Sequence, residues 1–405
     1  MSELHQVPDV ASFGTTVTVR AAGELLRGKM LVPVDAPTPE EYIEAFRVAD
    51  QFRIAHAYPM RSIRQSAHRW MKRCAVSGIT GARLKRMPAI RAKLKRSSIY
   101  LDKLQDVGGC RLILPTIADV RTIGDALTQH LRHQKCKEND YILAPKPDGY
   151  RSHHLVFAFQ DQLCRSHYMD RRIEIQVRTQ LQHSWATAVE AVGLYRGEYL
   201  KGSVGDRSWL RLFLLMSAEF CVAEGCPEPP GVPGQVERIA EIQALNKTLD
   251  ADLTLATLAN AVHWREISVT AREAPEYYLI RFDAKAKEVL VQPLHSASRA
   301  MALYSEAESV DRETGNDGND VVLVEADKID GLKAAYPNYF GDVTLFRQAL
   351  EEVAKGRSLA ELDIRRQEMV PAKPAERIDS GWLYKRNRLW VEPGRMKKTR
   401  KRKQK

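Results

Sequence analysis

The stretch Arg172-Ile173-Glu174-Ile175-Gln176-Val177-Arg178 alternates strictly. A strand through it sends Ile173, Ile175 and Val177 to one face and Glu174, Gln176 and Arg178 to the other. An acid, an amide and a base in that order suit the floor of an active site, and an amphipathic surface strand fits the same alternation. A second carboxylate, Asp106, precedes Val107-Gly108-Gly109-Cys110-Arg111, where two glycines at a strand entrance permit close approach of backbone or ligand. Alone, Asp106 reads equally as a turn residue; with Glu174 nearby, the pair could hold Mg²⁺ between nucleotide phosphates. In Pro145-Lys146-Pro147-Asp148-Gly149-Tyr150-Arg151-Ser152-His153-His154, proline and Asp-Gly make a loop. Tyr150 after that turn either offers a flat face to a base or packs at the edge of the core. Arg83, Lys85 and Lys93 lie in residues 61–105, which hold thirteen Lys/Arg against the single acid Asp102. Such a run is a solvated helix face unless something anionic, a triphosphate or a nucleic-acid backbone, offsets its self-repulsion.

The elements that must carry these residues follow from period and punctuation. Thr38 before Pro39-Glu40-Glu41 starts a helix over 39–56, and a second covers 60–75 after a break near Tyr58-Pro59. Strands are expected at 110–114, 154–159 and 172–178, and helices at 117–131 and 180–192. An apolar helix at 209–223 runs into Pro227-Glu228-Pro229-Pro230-Gly231-Val232-Pro233-Gly234, the clearest linker in the chain. Beyond it come a helix of about 25 residues, strands at 277–282, 288–292 and 321–325, and helices at 296–307 and 343–354. The resulting division is a loosely ordered lead-in 1–36, a main domain 37–226, a linker 227–235, an accessory helix plus small α/β domain 236–360, and an extended segment 361–405. Tyr336-Pro337-Asn338-Tyr339-Phe340 reads as a packed aromatic corner rather than a binding site.

In order, the four motifs resemble the synthetase domain of the RelA/SpoT family. Its pattern is R-x-K with a later lysine, D-x-x-G-x-R, P-K-x-N-G-Y-x-S-x-H, then E-x-Q-x-R-T with H and W-A after it. Arg83, Lys85 and Lys93, Asp106 to Arg111, Pro145 to His154, and Glu174 to Thr179 with His183, Trp185 and Ala186 match it, and Asp140-Tyr141-Ile142 fits before the loop. The match covers about residues 40–200. The resemblance implies an α/β (α+β) fold: a nucleotidyltransferase-like mixed β-sheet flanked by helices, with the small C-terminal α/β domain added. It implies transfer of the β,γ-pyrophosphate of ATP to the 3′-hydroxyl of GDP or GTP, giving (p)ppGpp, the alarmone of the stringent response. On that basis Arg83, Lys85, Lys93 and Arg111 grip ATP phosphates; Asp106 and Glu174 hold Mg²⁺, and Glu174 takes the hydroxyl proton. Tyr150 stacks on the acceptor base, Lys146 and His154 reach its edge or phosphates, Asp148 accepts from it, and Gln176 and Arg178 position it.

The chain departs from the pattern in places. Asp148 stands where the family has Asn; an aspartate still accepts from the N1–H and 2-amino group of guanine. Ala186-Thr187-Ala188-Val189-Glu190-Ala191 lacks the Glu-His pair common in small synthetases, and Ala89 replaces a serine. With no His-Asp doublet and fewer than 85 residues before the first motif, a synthetase without its own alarmone hydrolase is expected. Two other readings share the site: a toxin-like relative that pyrophosphorylates the 3′ end of tRNA, and an inactive nucleotide-binding regulator. Retention of both carboxylates speaks against the second.

The formal net charge is +11 over 405 residues. It concentrates in 61–105 and in the eight Lys/Arg of 395–405, so the rest is net acidic. The tail reads as a weak, salt-sensitive contact for RNA or as a solubility device. Six scattered cysteines give neither zinc spacing nor a disulfide framework. Without a membrane span or signal-peptide layout, no membrane partner and a cytoplasmic location are expected. A homo-oligomer is left open.

Overall fold

The computed structural model describes residues 18–28, 38–196, 198, 200, 205–261, 263–266, 275–283, 286, 288–313, 320–326 and 329–359. The basic tail lies outside them. In chain order the first half runs α1 (Val19–Arg27), α2 (Pro39–Ile54), α3 (Ala57–Arg73), β1 (Ile79–Leu84), α4 (Met87–Arg96), β2 (Gly108–Leu114), α5 (Ile117–His130), β3 (Gln134–Asp140), β4 (His153–Ala158), β5 (Arg172–Thr179), α6 (Gln180–Arg196) and α7 (Arg207–Glu224). The second half is α8 (Gln235–Leu249), α9 (Ala251–Ala261), β6 (His263–Glu266), β7 (Tyr277–Asp283), β8 (Glu288–Leu294), α10 (Ala297–Glu313), β9 (Asp320–Glu325), α11 (Ile329–Ala335) and α12 (Thr344–Ala354).

Local chemistry accounts for most boundaries. Thr38 and Glu41 form the reciprocal capping box that starts α2. The break to α3 falls at Ala55 and His56, slightly before the expected Tyr58-Pro59. Pro59 instead sits in the first turn of α3, where its missing N–H costs nothing. α1 lies inside the stretch expected to be loose; Thr18 caps it and Gly28, at φ 71°, ends it. The single long helix expected after the linker is two, because Asp250 takes a left-handed conformation at φ 45° and stops α8.

A nine-stranded mixed sheet, ordered β3-β4-β5-β2-β1-β9-β7-β8-β6, runs through both halves. β2 and β5 pair in parallel at the centre of the first half, flanked by antiparallel β1 and β4. Ile173, Ile175 and Val177 are fully buried with Met60, Ile63 and Ala67 of α3 and Val120, Ile123 and Leu127 of α5. Each such side chain removed from water is worth about 2 kcal/mol, which fixes the register and turns Glu174, Gln176 and Arg178 to the opposite face. That face is roofed by α6, which bundles with α7, α8, α9 and α12 around Phe213, Phe220 and Phe346.

The linker at 227–235 does not separate two sheets. β9 pairs with β1, Ala82 opposite Glu325 and Arg83 opposite Val324, so the region expected as an accessory domain continues the first-half sheet. Leu323 joins the core under α3 and α10, while Val322 and Val324 join the one under α11. Ion pairs seal the join: Arg64 with Glu325 at 3.0 Å, Arg61 with Glu276 at 2.7 Å, Arg53 with Glu308 at 2.6 Å, and Arg86 with Asp320. Part of the charge in 61–105 is therefore consumed inside the fold. Among the described residues no helix is long and apolar enough to cross a membrane.

Candidate functional site

Strand register assembles the site. Arg83 lies opposite Gly109 on β2, and Gly109 lies beside Glu174 on β5, so three expected residues sit side by side across three strands. On the other flank His154 of β4 lies opposite Gln176. A cavity of about 420 Å³ opens over this floor. Arg83, Lys85, Lys93, Asp106, Arg111, Lys146, Asp148, Tyr150, His154, Glu174 and Gln176 all line it. Arg178 is buried behind that wall, with 2% exposure.

One wall is a closed hydrogen-bond circuit of five side chains. Tyr150 Oη meets His154 Nε2 at 2.8 Å; His154 Nδ1 meets Glu174 Oε1 at 3.0 Å; Gln176 Nε2 donates to Glu174 Oε2 at 2.7 Å. Arg178 closes the circuit, donating to Gln176 Oε1 and, at 3.2 Å, to Tyr150 Oη. Burial, outweighing the contact with Glu174, lowers the His154 pKa. The neutral ring then donates from Nδ1 to Glu174 and accepts the Tyr150 proton at Nε2. Burial raises the pKa of Glu174, but the bonds from His154 and Gln176 win and keep it below the ordinary carboxylate value.

The loop carrying Tyr150 is braced from behind. Gly149 sits at φ 90°, and a Cβ there would meet Ser217 Cβ at 3.0 Å and Trp185 Cζ2 at 3.3 Å, so glycine serves both conformation and contact. Ser217 donates to the Gly149 carbonyl at 2.6 Å, and Trp185 Nε1 donates to the Phe213 carbonyl at 2.7 Å. Arg151 pairs with Glu224 at 2.6 Å, and Glu224 also accepts from Thr179. Asp148 Oδ1 accepts from the Tyr150 N–H at 3.0 Å, an Asx turn that leaves Oδ2 for other use. Lys146 Nζ lies 4.4 Å from the Tyr141 ring centre and 5.0 Å from that of Tyr150, a cation between two aromatic faces.

The opposite wall is cationic. Asp106 Oδ2 is held by Lys85 at 3.0 Å and Lys93 at 2.8 Å. Burial alone would raise its pKa; the two ammonium groups bring it down to about 2. Asp106 Oδ1 is buried without a hydrogen-bond partner. Arg111 is buried and donates to the Ala335 carbonyl at 2.7 Å, with the Tyr336 ring centre 5.0 Å from its guanidinium carbon. His183 meets the Ala334 carbonyl at 3.0 Å, and burial followed by Arg111 and Arg178 holds its pKa well below the ordinary value. The C-terminal end of α11 thus lies against the arginine and histidine of the first half.

Four contributors escaped the sequence reading. Tyr336 was expected only as a packed corner; it is 2% exposed in the core and also lines the cavity. Glu190 lines the cavity too and contributes to the electrostatic surroundings of Arg83 and Arg111. Lys137 and Asn139 reach the cavity from β3, a strand not foreseen; their spacing of two was the available signal.

Residues 82–199 match the family model described as a region found in RelA / SpoT proteins. GTP pyrophosphokinase YwaC of Bacillus subtilis (strain 168) is 34% identical over 115 residues, 27% of this chain and 54% of that protein. GTP pyrophosphokinase YjbM of the same organism is 30% identical over 139 residues, 33% of this chain and 62% of that protein. The chain thus spans less than two thirds of these curated relatives. Among solved structures, small alarmone synthetase 1 of Bacillus subtilis bound to its product pppGpp is 25% identical. It covers 34% of this chain and 77% of that one at a TM-score of 0.32. The same synthetase bound to AMPCPP is 19% identical, covering 42% and 88% at a TM-score of 0.34. Residues 82–199 of this chain are thus similar to the region found in RelA / SpoT proteins.

Proposed function

We propose that the chain moves the β,γ-pyrophosphate of ATP to the ribose 3′-hydroxyl of GDP or GTP, giving (p)ppGpp. The observation that carries this reading is the ionised, circuit-held Glu174 on the floor of a cavity whose opposite wall presents Lys85, Lys93, Arg83 and Arg111. A fixed carboxylate beside a cationic wall suits attack of a hydroxyl on a polyphosphate. The 3′-oxygen bonds to the β-phosphorus, the bond from the β-phosphorus to the oxygen bridging the α-phosphate breaks, and AMP leaves with that oxygen. The hydroxyl proton passes to Glu174. Lys85, Lys93 and the two arginines offset the charge that builds on the transferred phosphates.

The donor set fits Mg²⁺. Asp106 lines the cavity with Oδ1 unpartnered, and its charge bears on Glu174. Two close carboxylates, one with a free buried oxygen, suit an oxygen-seeking cation. Asp106 and Glu174 would hold it, and when bound it supplies charge stabilisation at the phosphates. Tyr150 stacks on the acceptor base with Lys146 at its side, and Asp148 Oδ2 accepts from the guanine edge. Gln176 and Arg178 keep Glu174 and Tyr150 in place.

Incubating the protein with ATP labelled in its β- and γ-phosphates, and GDP, GTP or bulk tRNA, tests the reading. Label entering a guanine nucleotide is the expected result. Label entering tRNA would move the acceptor to RNA, and label in neither would leave a nucleotide-binding regulator.

A further inference from the structure

Eight of the thirteen basic residues of 61–105 are divided three ways by the fold. Arg61, Arg64 and Arg86 are neutralised by Glu276, Glu325 and Asp320, and Arg83, Lys85 and Lys93 line the main cavity. Arg69 and Arg73, at the C-terminal end of α3, do neither. They converge with Arg132, which follows α5, around a second cavity of about 260 Å³.

This cavity is built rather than merely crowded. Trp70 stacks on His130 with ring centres 4.6 Å apart and planes 17° from parallel, and the Arg73 guanidinium carbon lies 4.8 Å from the Trp70 ring centre. Stacking on the indole preorganises that guanidinium. Arg69 Nη2 donates to Ser66 Oγ at 2.8 Å, and Ser66 Oγ donates to the Ser62 carbonyl at 2.9 Å, so a second fork is anchored from one arm. Among the described residues none of the three arginines is paired with a carboxylate, unlike those at the join with the second half. All three arginines are exposed at the mouth of the cavity; partial burial of the Arg69 guanidinium, and then the charges of Arg132 and Arg73, pull its pKa below the ordinary value. Such crowding is relieved by an anion. The C-terminal ends of α3 and α5 offset only part of it.

The cavity lies across the sheet from the main site. α3 and α5 cover the face to which Ile173, Ile175 and Val177 point, while Glu174, Gln176 and Arg178 look the other way. Its volume is below the roughly 300–1,000 Å³ that drug-sized ligands fill, and three guanidinium forks suit a phosphoryl group with its ester carbon.

We propose that Arg69, Arg73 and Arg132 form a second anion site, on the sheet face opposite Glu174, that takes the phosphoryl group of a phosphate ester carried by a free nucleotide or by an RNA strand. It stands independently of the pyrophosphotransfer reading. The test uses the full chain and an Arg69→Gln/Arg132→Gln variant, with binding of inorganic phosphate, GMP and a short single-stranded RNA measured by titration calorimetry at several salt concentrations. A Lys85→Gln/Lys93→Gln variant in parallel reports the contribution of the main cavity. If a free ester is the ligand, phosphate and GMP bind about tenfold more weakly at this site in the arginine variant, additively with the lysine variant. If RNA is the ligand, the RNA loses affinity and the slope of log K against log salt falls by about 1.4, two contacts at about 0.7 each. An unchanged melting temperature shows that the variant is folded. Unaltered binding of all three probes overturns the proposal and leaves these arginines as partners of helix ends. Pyrophosphotransfer assayed on the same arginine variant is expected to persist, so failure of one reading is separable from failure of the other.

Discussion

The two walls of the main cavity are built in different ways. The wall of Tyr150, His154, Glu174, Gln176 and Arg178 is satisfied by its own members, all from β4, β5 and the loop before them. The facing wall is satisfied from a distance: Arg111 by the Ala335 carbonyl, His183 by that of Ala334, and β1 by pairing with β9. A circuit whose members bond one another is preorganised largely from within, although Arg178 Nε stays buried without a hydrogen-bond partner. A wall whose arginine is engaged by a residue far along the chain exchanges one partner for another when an anion arrives. If this wall takes the ATP phosphates as proposed, their affinity is coupled to the packing of 334–336.

The largest effect expected from breaking this asymmetry is at Glu174. Glu174→Gln keeps the shape but removes the charge that fixes the His154 tautomer and, in the proposed reaction, receives the proton. Transfer should fall by about 10³-fold or more with little change in melting temperature, and full activity in the variant would refute the assignment. Next comes Asp106. Its folded pKa of about 2 is below the ordinary 3.8, so its pairing with Lys85 and Lys93 stabilises the fold above about pH 4 and is lost as pH falls through about 2. Asp106→Asn should remove about 2 kcal/mol of that acid-dependent stability, seen as a flatter acid limb in melting temperature against pH.

Tyr150→Phe opens the circuit at one point, leaving His154 Nε2 and one Arg178 bond without a partner. About 1–2 kcal/mol is at stake, or roughly tenfold in transfer, and it should show in the acceptor KM more than in the ATP KM. The smallest effect probes the distant wall. A methyl in Gly81→Ala would stand 2.9 Å from both Ala335 Cβ and a Tyr336 ring carbon, forcing 335–336 away from Arg111. A few-fold tighter binding of AMPCPP with a lower melting temperature is expected; weaker binding would mean that Ala335 and Tyr336 support the phosphate site rather than compete for its arginine.

The legible part of the fold followed the strength of local signals. Alternation from Ile173 to Val177 and the cap at Thr38 were read correctly because burial and capping act within a few residues. Strands β1, β3 and β6 went unread; β3, Gln134–Asp140, is polar and largely exposed, so no apolar alternation marks it. The division at 227–235 rested on a genuine proline and glycine cluster. Such a cluster ends a helix without saying where the chain goes next, and β9 returned to β1.

The sequence by itself determined the chemistry available at the site: which side chains are acids, bases and aromatics, and, through a period of two, which of them share a face with Glu174. Only the tertiary structure decided how they are paired. That Asp106 keeps one oxygen bare while two lysines hold the other, that Tyr336 lines the cavity from a buried aromatic corner, and that eight of the thirteen basic residues of 61–105 divide among three different ends all depend on contacts between segments far apart in the chain. Residue type and spacing encode local geometry, whereas long-range pairing is chosen by the total burial and charge balance of the finished core.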